Sequence, residues 1–261
     1  MRKVPSRLSF FAGPATLALA WQLAATSGAW EKSLFPPPSA VATGLLELAR
    51  NGFLAESIAV SAYRFGVGFA LAAIAAFVIG VVAGRIPLIW RLIGPAFQAL
   101  RPVSPIAWMP FVVLFLGIGD RPAIAIIFIA AFFPVLVTTV AAMNALDPSL
   151  YRLGRALALR EPALTLRVLV PAALPQVLTG VRISTGTAWV FLVAGEMAGC
   201  QSGLGFLVVD GRNGLRYDIV LGAIAVIGAI GLALDRLMHL AESRVRRLWG
   251  LERSIAGEVF R

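Results

Sequence analysis

Charge is scarce in this chain. Of its 261 residues only 14% are Asp, Glu, Lys or Arg, against about 25% in a soluble globular domain. Cysteine is scarcer still. A single thiol, Cys200, excludes an intramolecular disulfide and a thiolate metal cluster. The one histidine, His239, has no carboxylate or cysteine cluster beside it in the sequence. That argues against a zinc site or a histidine-based triad within one chain and makes it a helix-end or interface residue. The only lysines are Lys3 and Lys32. Neither stands in G-x-x-x-x-G-K-[ST], the loop in which a lysine reaches nucleotide phosphates. If ATP drives the function, another subunit must bind it. With no nucleophile–base pair and no metal-ligand set, the expectation is no catalytic residue, no cofactor and no metal in this chain.

Apolar residues are abundant, at 59% of the chain. Several runs exceed the roughly 20 residues that cross a bilayer. The chain therefore reads as an all-α polytopic membrane protein. Its net charge of +10 would ordinarily suggest nucleic acid. Here the arginines fall between and beyond the apolar runs, where membrane orientation requires them, so nucleic acid is not an expected partner.

The chain is organised around residues 147–182, between two of these runs. Arg152, Arg155, Arg160 and Arg167 lie there within sixteen residues, and Leu150, Leu153, Leu157 and Leu164 recur at helical spacing. A basic amphipathic segment between spans does not lie in lipid. It reads as a helical loop, serving either to fix topology or to dock into a partner protein. Arg160-Glu161-Pro162 suits a break between two helices, because proline is accepted in a first helical turn.

Six spans are expected. The first covers residues 8–25 after basic Arg2, Lys3 and Arg7. Its length, and Trp21 near its far end, favour an uncleaved span over a signal peptide. Phe35-Pro36-Pro37-Pro38-Ser39 is a rigid break. Ser39 is a candidate cap for an interfacial helix that Asn51-Gly52 ends. The second span runs from about 57 or 63 to 82, with Gly66, Gly68, Gly80 and Gly84 suited to close helix contact and Arg64 expected to snorkel. The third, 94–117, is interrupted by Pro95, Pro102, Pro105 and Pro110, and reads either as a kinked packing helix or as a helix beside a pathway. The fourth covers 123–145, the fifth 172–198 and the sixth 218–239. Glu196 falls near the outer end of the fifth, as a gate, a partner contact or the mate of Arg212 or Arg216. Arg182 lies about a third of the way in, serving an anion pathway or packing against a loop carbonyl.

Counting basic residues orients the chain. With the N-terminus inside, Arg2, Lys3, Arg7, Arg85, Arg91, the four loop arginines and Arg244, Arg246, Arg247, Arg253 and Arg261 are cytoplasmic, 14 in all. Lys32, Arg50, Arg121, Arg212 and Arg216, five residues, lie outside. Arg64, Arg101, Arg182 and Arg236 fall near span ends. The inverted arrangement would oppose the positive-inside rule.

The loop resembles that of the inner-membrane permease subunit of an ABC importer, whose pattern is E-A-A-x-x-x-G followed by a hydrophobic residue and Pro. Asp147-Pro148-x-Leu150 precedes it, Arg155 and Leu157 fit within it, and Val170-Pro171-Ala172-Ala173-Leu174-Pro175 closes it. Thr179-Gly180-Val181-Arg182-Ile183, Ala188-Trp189, Val193-Ala194-Gly195-Glu196-Met197 and Ser202-Gly203-Leu204-Gly205 resemble the nitrate/sulfonate/taurine branch. So do Leu100-Arg101-Pro102 and Leu116-Gly117-Ile118-Gly119. The likeness runs from about residue 35 to 240. It departs from the pattern at the centre: Arg152 stands at the glutamate position, Leu153 and Gly154 at the two alanines, and Ala158 at the glycine.

The resemblance implies a type I ABC importer permease fold with a cytoplasmic coupling helix between spans 4 and 5. It implies domains of 1–53 (first span and outer interfacial helix), 54–241 (transmembrane domain) and 242–261 (basic tail). It also implies import of a small, anionic solute by alternating access coupled through residues 148–165. Arg152, Arg155, Ala158, Leu159, Arg160 and Glu161 would form the ATPase-coupling surface. Met109, Pro110, Arg182, Trp189, Glu196 and Met197 are candidates for the pathway or gate. The implied partners are an ATP-binding subunit in two copies carrying ATP and Mg, a second permease subunit making a homodimer, an extracytoplasmic substrate-binding protein and membrane lipid. The implied location is the bacterial inner membrane, with both termini cytoplasmic. The alternatives are a secondary transporter or channel without an ATPase, which predicts internal repeats or several intramembrane acids, and a non-transporting scaffold.

Overall fold

The computed structural model describes residues 7–27 and 34–249. Arg2, Lys3, Lys32, Arg253 and Arg261 lie outside the described residues. Among those described there is no strand. The helices are α1 (Arg7–Thr26), α2 (Pro38–Arg50), α3 (Phe53–Arg85), α4 (Pro87–Leu100), α5 (Met109–Leu116), α6 (Asp120–Asn144), α7 (Pro148–Ala156), α8 (Glu161–Leu164), α9 (Val170–Gly199), α10 (Leu204–Asn213) and α11 (Tyr217–Leu248). A single 3₁₀ turn, Pro105–Trp108, precedes α5, and a π turn, Thr165–Leu169, joins α8 to α9.

Four helical stretches are long and apolar enough to cross a membrane: α3, α6, α11 and the run Glu161–Gly199. A fifth crossing comes from α4 and the Pro105–Leu116 segment, bent by 90° at the proline-rich break. Of the six expected spans, four stand among the described residues, or five with the bent pair. α1 covers the expected first span, but it is not among them and most of its side chains lie outside the description. The expected fifth span also began too late. Its helix starts at Glu161, so the loop proper ends at Arg160 rather than reaching Arg182. Proline in a first turn does not break a helix, which is why the apolar pattern alone misplaced this boundary.

The chain divides into two units. The first comprises the described residues of 1–61 together with 201–229. In it α2 lies against the start of α11. A Cβ at Gly44 would sit 2.6 Å from Asp218, and one at Gly222 would sit 2.8 Å from Leu45. Arg216 ties the same region together, reaching Glu47 and Asp218 at 2.8 Å each. Both carboxylates raise its pKa above the ordinary arginine value, Asp218 the more strongly. Ser39 does not cap α2: the cap position is Pro37 and no side chain bonds there. The rigid tri-proline presets the helix start instead, and Ser39 meets Gln22. Asn51 and the left-handed Gly52 do end α2, as expected.

The second unit comprises residues 62–200 and the described part of 230–261. Its core is α6 packed along α9. Ala123, Ile126, Ile127, Ala131, Val135, Leu136, Ala188 and Leu192 are all buried there. Small residues permit the approach of the backbones: a Cβ at Gly180 of α9 would sit 2.1 Å from Thr138 Oγ1 of α6. α3 packs on α6 in the same way. Gly68 faces the Ile124 carbonyl, Gly80 faces Thr139 and Gly84 faces Met143, each leaving under 3.0 Å for a Cβ, whereas Gly66 faces open space. In lipid, where apolar burial does not drive association, such close contact is a main source of helix–helix attraction.

Candidate functional site

Two ends of the second unit carry its polar chemistry. At one end are Arg85, the α7–α8 segment and the start of α9. At the other are the start of α6 and the close of α9. The bent pair runs from Arg85 at the first end to Gly119 at the second, where Gly119 N–H donates to the Gly199 carbonyl at 3.2 Å. It therefore crosses from end to end and does not re-enter on one side.

The first end is the expected coupling segment. α7 begins at Asp147, whose carboxylate accepts from the Ser149 N–H at 2.7 Å. This backbone bond holds the Asp147 pKa below the usual carboxylate range, with Arg152 adding a smaller pull. α7 ends in a Schellman turn. Leu159 N–H donates to the Gly154 carbonyl and Ala158 N–H to the Arg155 carbonyl, both at 3.0 Å. The C′ residue of that turn is Ala158, at φ +52°, a left-handed conformation that glycine adopts without a Cβ penalty. The resembled pattern has its glycine at this position, so the turn is retained and alanine carries the strain. Gly154 compensates elsewhere. A Cβ there would lie 2.1 Å from Leu164 Cδ1, so glycine at the second alanine position lets the fully buried Leu164 pack beneath α7.

Arg152, Arg155, Ala158, Arg160 and Glu161 are exposed on this segment. Leu159 is not. It turns inward against the cluster of Ala142, Met143, Leu164 and Leu169. Leu150 packs there too, while Leu153 and Leu157 stay exposed. Arg85, which carried no expected role beyond topology, anchors the segment. Its guanidinium pairs with Glu161, donates to Thr165 Oγ1 at 3.1 Å and lies 5.0 Å from the centre of the Tyr151 ring.

At the second end Glu196 is fully buried, and Arg64 Nη1 meets its Oε1 at 2.8 Å. Arg64 also reaches Asp120, at 2.6 Å. Neither Arg212 nor Arg216 is Glu196's partner, and Arg64 does not snorkel: it is 1% exposed. The expectation failed because helix rise fixes depth along α9 but not which neighbour stands at that depth. Met109 packs beside Gly199, and Cys200 Sγ donates to the Gly119 carbonyl at 3.2 Å. Trp189 is buried edge-on to Phe65, with ring centres 5.5 Å apart. Pro110 and Met197 are exposed. The candidate pathway residues thus separate into Glu196, Met109 and Trp189 inside the packing and Pro110 and Met197 on its surface.

Arg182 also differs from expectation. It packs against no loop carbonyl and pairs instead with Asp235 and Glu242 of α11, at 3.3 Å each. Glu242 further accepts from Thr179 at 2.7 Å and pairs with Arg246 at 2.9 Å. These groups and His239 line a cavity of about 710 Å³. The members of this polar cluster lie on α9 and α11, some 50 to 70 residues apart, so no single stretch of sequence displays it.

Four unbroken apolar crossings and one broken one, with an exposed basic helical segment between two of them, define a polytopic membrane subunit. The chain belongs to the binding-protein-dependent transport system inner membrane component family, whose pattern matches residues 76–247. It is similar to a putative aliphatic sulfonates transport permease of Bacillus subtilis, at 31% identity over 89% of this chain and 84% of that one. It is 30% identical to a nitrate import permease of Synechocystis, over 94% of each. It is 31% identical to the taurine transport system permease of Escherichia coli, over 88% of this chain and 86% of that one. Among solved structures it shares its fold with a chain of the MetNI methionine ABC transporter, with a TM-score of 0.52 and 18% identity over 69% of this chain and 93% of that one. It is a permease subunit of an ABC importer of the nitrate/sulfonate/taurine branch, a transport component rather than an enzyme.

Proposed function

We propose that this permease imports a small anionic solute of the nitrate, sulfonate or taurine kind, and that residues 148–165 couple its motion to ATP hydrolysis on a separate subunit. The family supplies the ATP-binding and substrate-binding partners. We further propose two copies of the ATPase, a homodimer of this chain and cytoplasmic termini. In this reading residues 54–241 form the transmembrane domain, preceded by an N-terminal region of 1–53 and followed by a basic tail of 242–261. The observation that carries the coupling assignment is the rigid presentation of α7. It is capped by Asp147, closed by a Schellman turn and clamped by Arg85, so that Arg152, Arg155, Arg160 and Glu161 project together from one end of the unit. A segment so braced moves with its spans as one body, which rocking between two access states requires.

The test is ATP hydrolysis by the chain reconstituted with its ATPase and binding protein. Liganded binding protein stimulates hydrolysis in the wild type. Arg155→Glu combined with Arg160→Glu abolishes that stimulation while the helical content stays native. Undiminished stimulation in the double variant would remove the coupling role from this surface.

A further inference from the structure

The elbow of the broken span places an unpaired cation at mid-membrane depth. Arg101, Pro102, Val103 and Ser104 join α4 to the 3₁₀ turn and are exposed. With Pro105 they line a cavity of about 300 Å³ whose other walls are Ile129–Pro134 of α6 and Thr187 and Phe191 of α9. That wall of α6 starts nine residues after Asp120 and stops ten before Asn144. At 1.5 Å per residue it stands about 14 Å from the helix start, near the middle of a hydrocarbon core roughly 30 Å thick. Phe97 fixes the same depth for α4, with its ring centre 5.9 Å from Phe132 and 6.0 Å from Phe133.

Two further facts distinguish this place. Irregular backbone at membrane depth does not face lipid; it is covered by protein or lines water. The elbow's exposed residues are not covered by their own unit, so they line water or meet another subunit. Second, the polar side chains on the cavity are unengaged among the described residues. Hydroxyls elsewhere on α6 and α9, those of Thr138, Thr139, Ser184 and Thr185, bond to carbonyls of their own helices. Among the described residues no hydrogen bond is found for the hydroxyl of Thr187 or Ser104, and no carboxylate pairs with the Arg101 guanidinium. The other intramembrane arginines, Arg64 and Arg182, each hold two carboxylates.

A guanidinium at membrane depth without an acid partner can be completed by an anion from solution. Its planar fork matches an oxyanion with two parallel hydrogen bonds, and two nearby hydroxyls can donate to the remaining oxygens. The volume admits a small oxyanion with several waters at about 30 Å³ each. We propose that Arg101, Ser104 and Thr187 form an oxyanion-binding station of the translocation pathway at the broken span. This rests on the anionic-substrate reading above and gives that substrate a residence inside the permease itself.

The experiment is uptake of isotope-labelled nitrate and, separately, taurine into liposomes holding the full complex, with ATP hydrolysis measured in parallel. Where the wild type imports either of these oxyanion-bearing solutes, Arg101→Gln is expected to lower uptake per ATP hydrolysed by roughly ten- to a hundredfold, the scale of a charged hydrogen bond. Arg101→Lys should recover part of the loss, and Thr187→Val should raise the KM of uptake. Anion import by Arg101→Gln at the wild-type KM and wild-type uptake per ATP would overturn the station and leave the substrate reading standing. So would a fall in uptake and hydrolysis in equal proportion in both Arg101 variants, since that marks a structural role. A wild type that imports only solutes without an oxyanion group would overturn the substrate reading and the station with it.

Discussion

Glu196 and Arg64 are 132 positions apart and share one buried hydrogen bond. A buried pair of this kind returns little net stability, because two ions lose their water. Breaking it is another matter. Glu196→Ala takes from Arg64 its buried carboxylate and leaves the half-exposed Asp120, and the loss should be about 3–5 kcal/mol, read as an earlier unfolding midpoint in detergent. Arg64→Met combined with Glu196→Leu should recover most of it, because no stranded charge remains. A double variant as unstable as Glu196→Ala would show that the pair itself stabilises the unit. Neither partner was assignable from its own surroundings. Each lies in an apolar run with no opposite charge at helical spacing.

Among the elements, α7 is one whose stability titrates. The bond from Ser149 N–H favours ionised Asp147, so its folded pKa lies below the ordinary value. A group depressed in this direction stabilises the fold above its unfolded pKa, about 3.9. The contribution fades as pH falls from there through the lower folded value. Protection of the α7 amides, corrected for intrinsic exchange, should therefore fall on acidification below about pH 4. In Asp147→Asn, which caps without ionising, the corrected protection should stay constant in that window. An unchanged pH response in the asparagine variant would place the titrating group elsewhere. The cap was within reach of the sequence, because Asp-Pro before a basic amphipathic run is a local signal. The Schellman turn was not. A positive φ at Ala158 contradicts residue preference, and it is held by hydrogen bonds back to Gly154 and Arg155 and by the inward packing of Leu159.

For the whole molecule, orientation is the property that charge counting reaches and coordinates alone do not. The lone thiol makes it measurable. In a Cys200→Ala background, Leu157→Cys and Ile118→Cys place reactive groups on exposed residues at opposite ends of the second unit. A membrane-impermeant maleimide added to intact cells should label position 118 and spare 157, with the reverse pattern in inside-out vesicles. Labelling of 157 from outside would invert the topology and remove the coupling segment from the cytoplasm, along with its ATPase.

The sequence by itself determined the class of the molecule, the number of unbroken spans nearly, the broken third span and the basic segment between two crossings. Those features are local. Apolar run length, proline placement and the sign of loop charges act on the residues that carry them, and they are read without knowing any neighbour. Tertiary structure alone decided which charges meet: Arg64 with Glu196, Arg182 with Asp235 and Glu242, and Arg85 with Glu161. It also decided that Gly154 leaves room for Leu164 and that Arg101 has no acid partner among the described residues. A helix spaces its side chains by a fixed rise, but the partner at each depth is set by which glycines let two backbones approach. That pairing arises between distant segments, and no single run of residues records it.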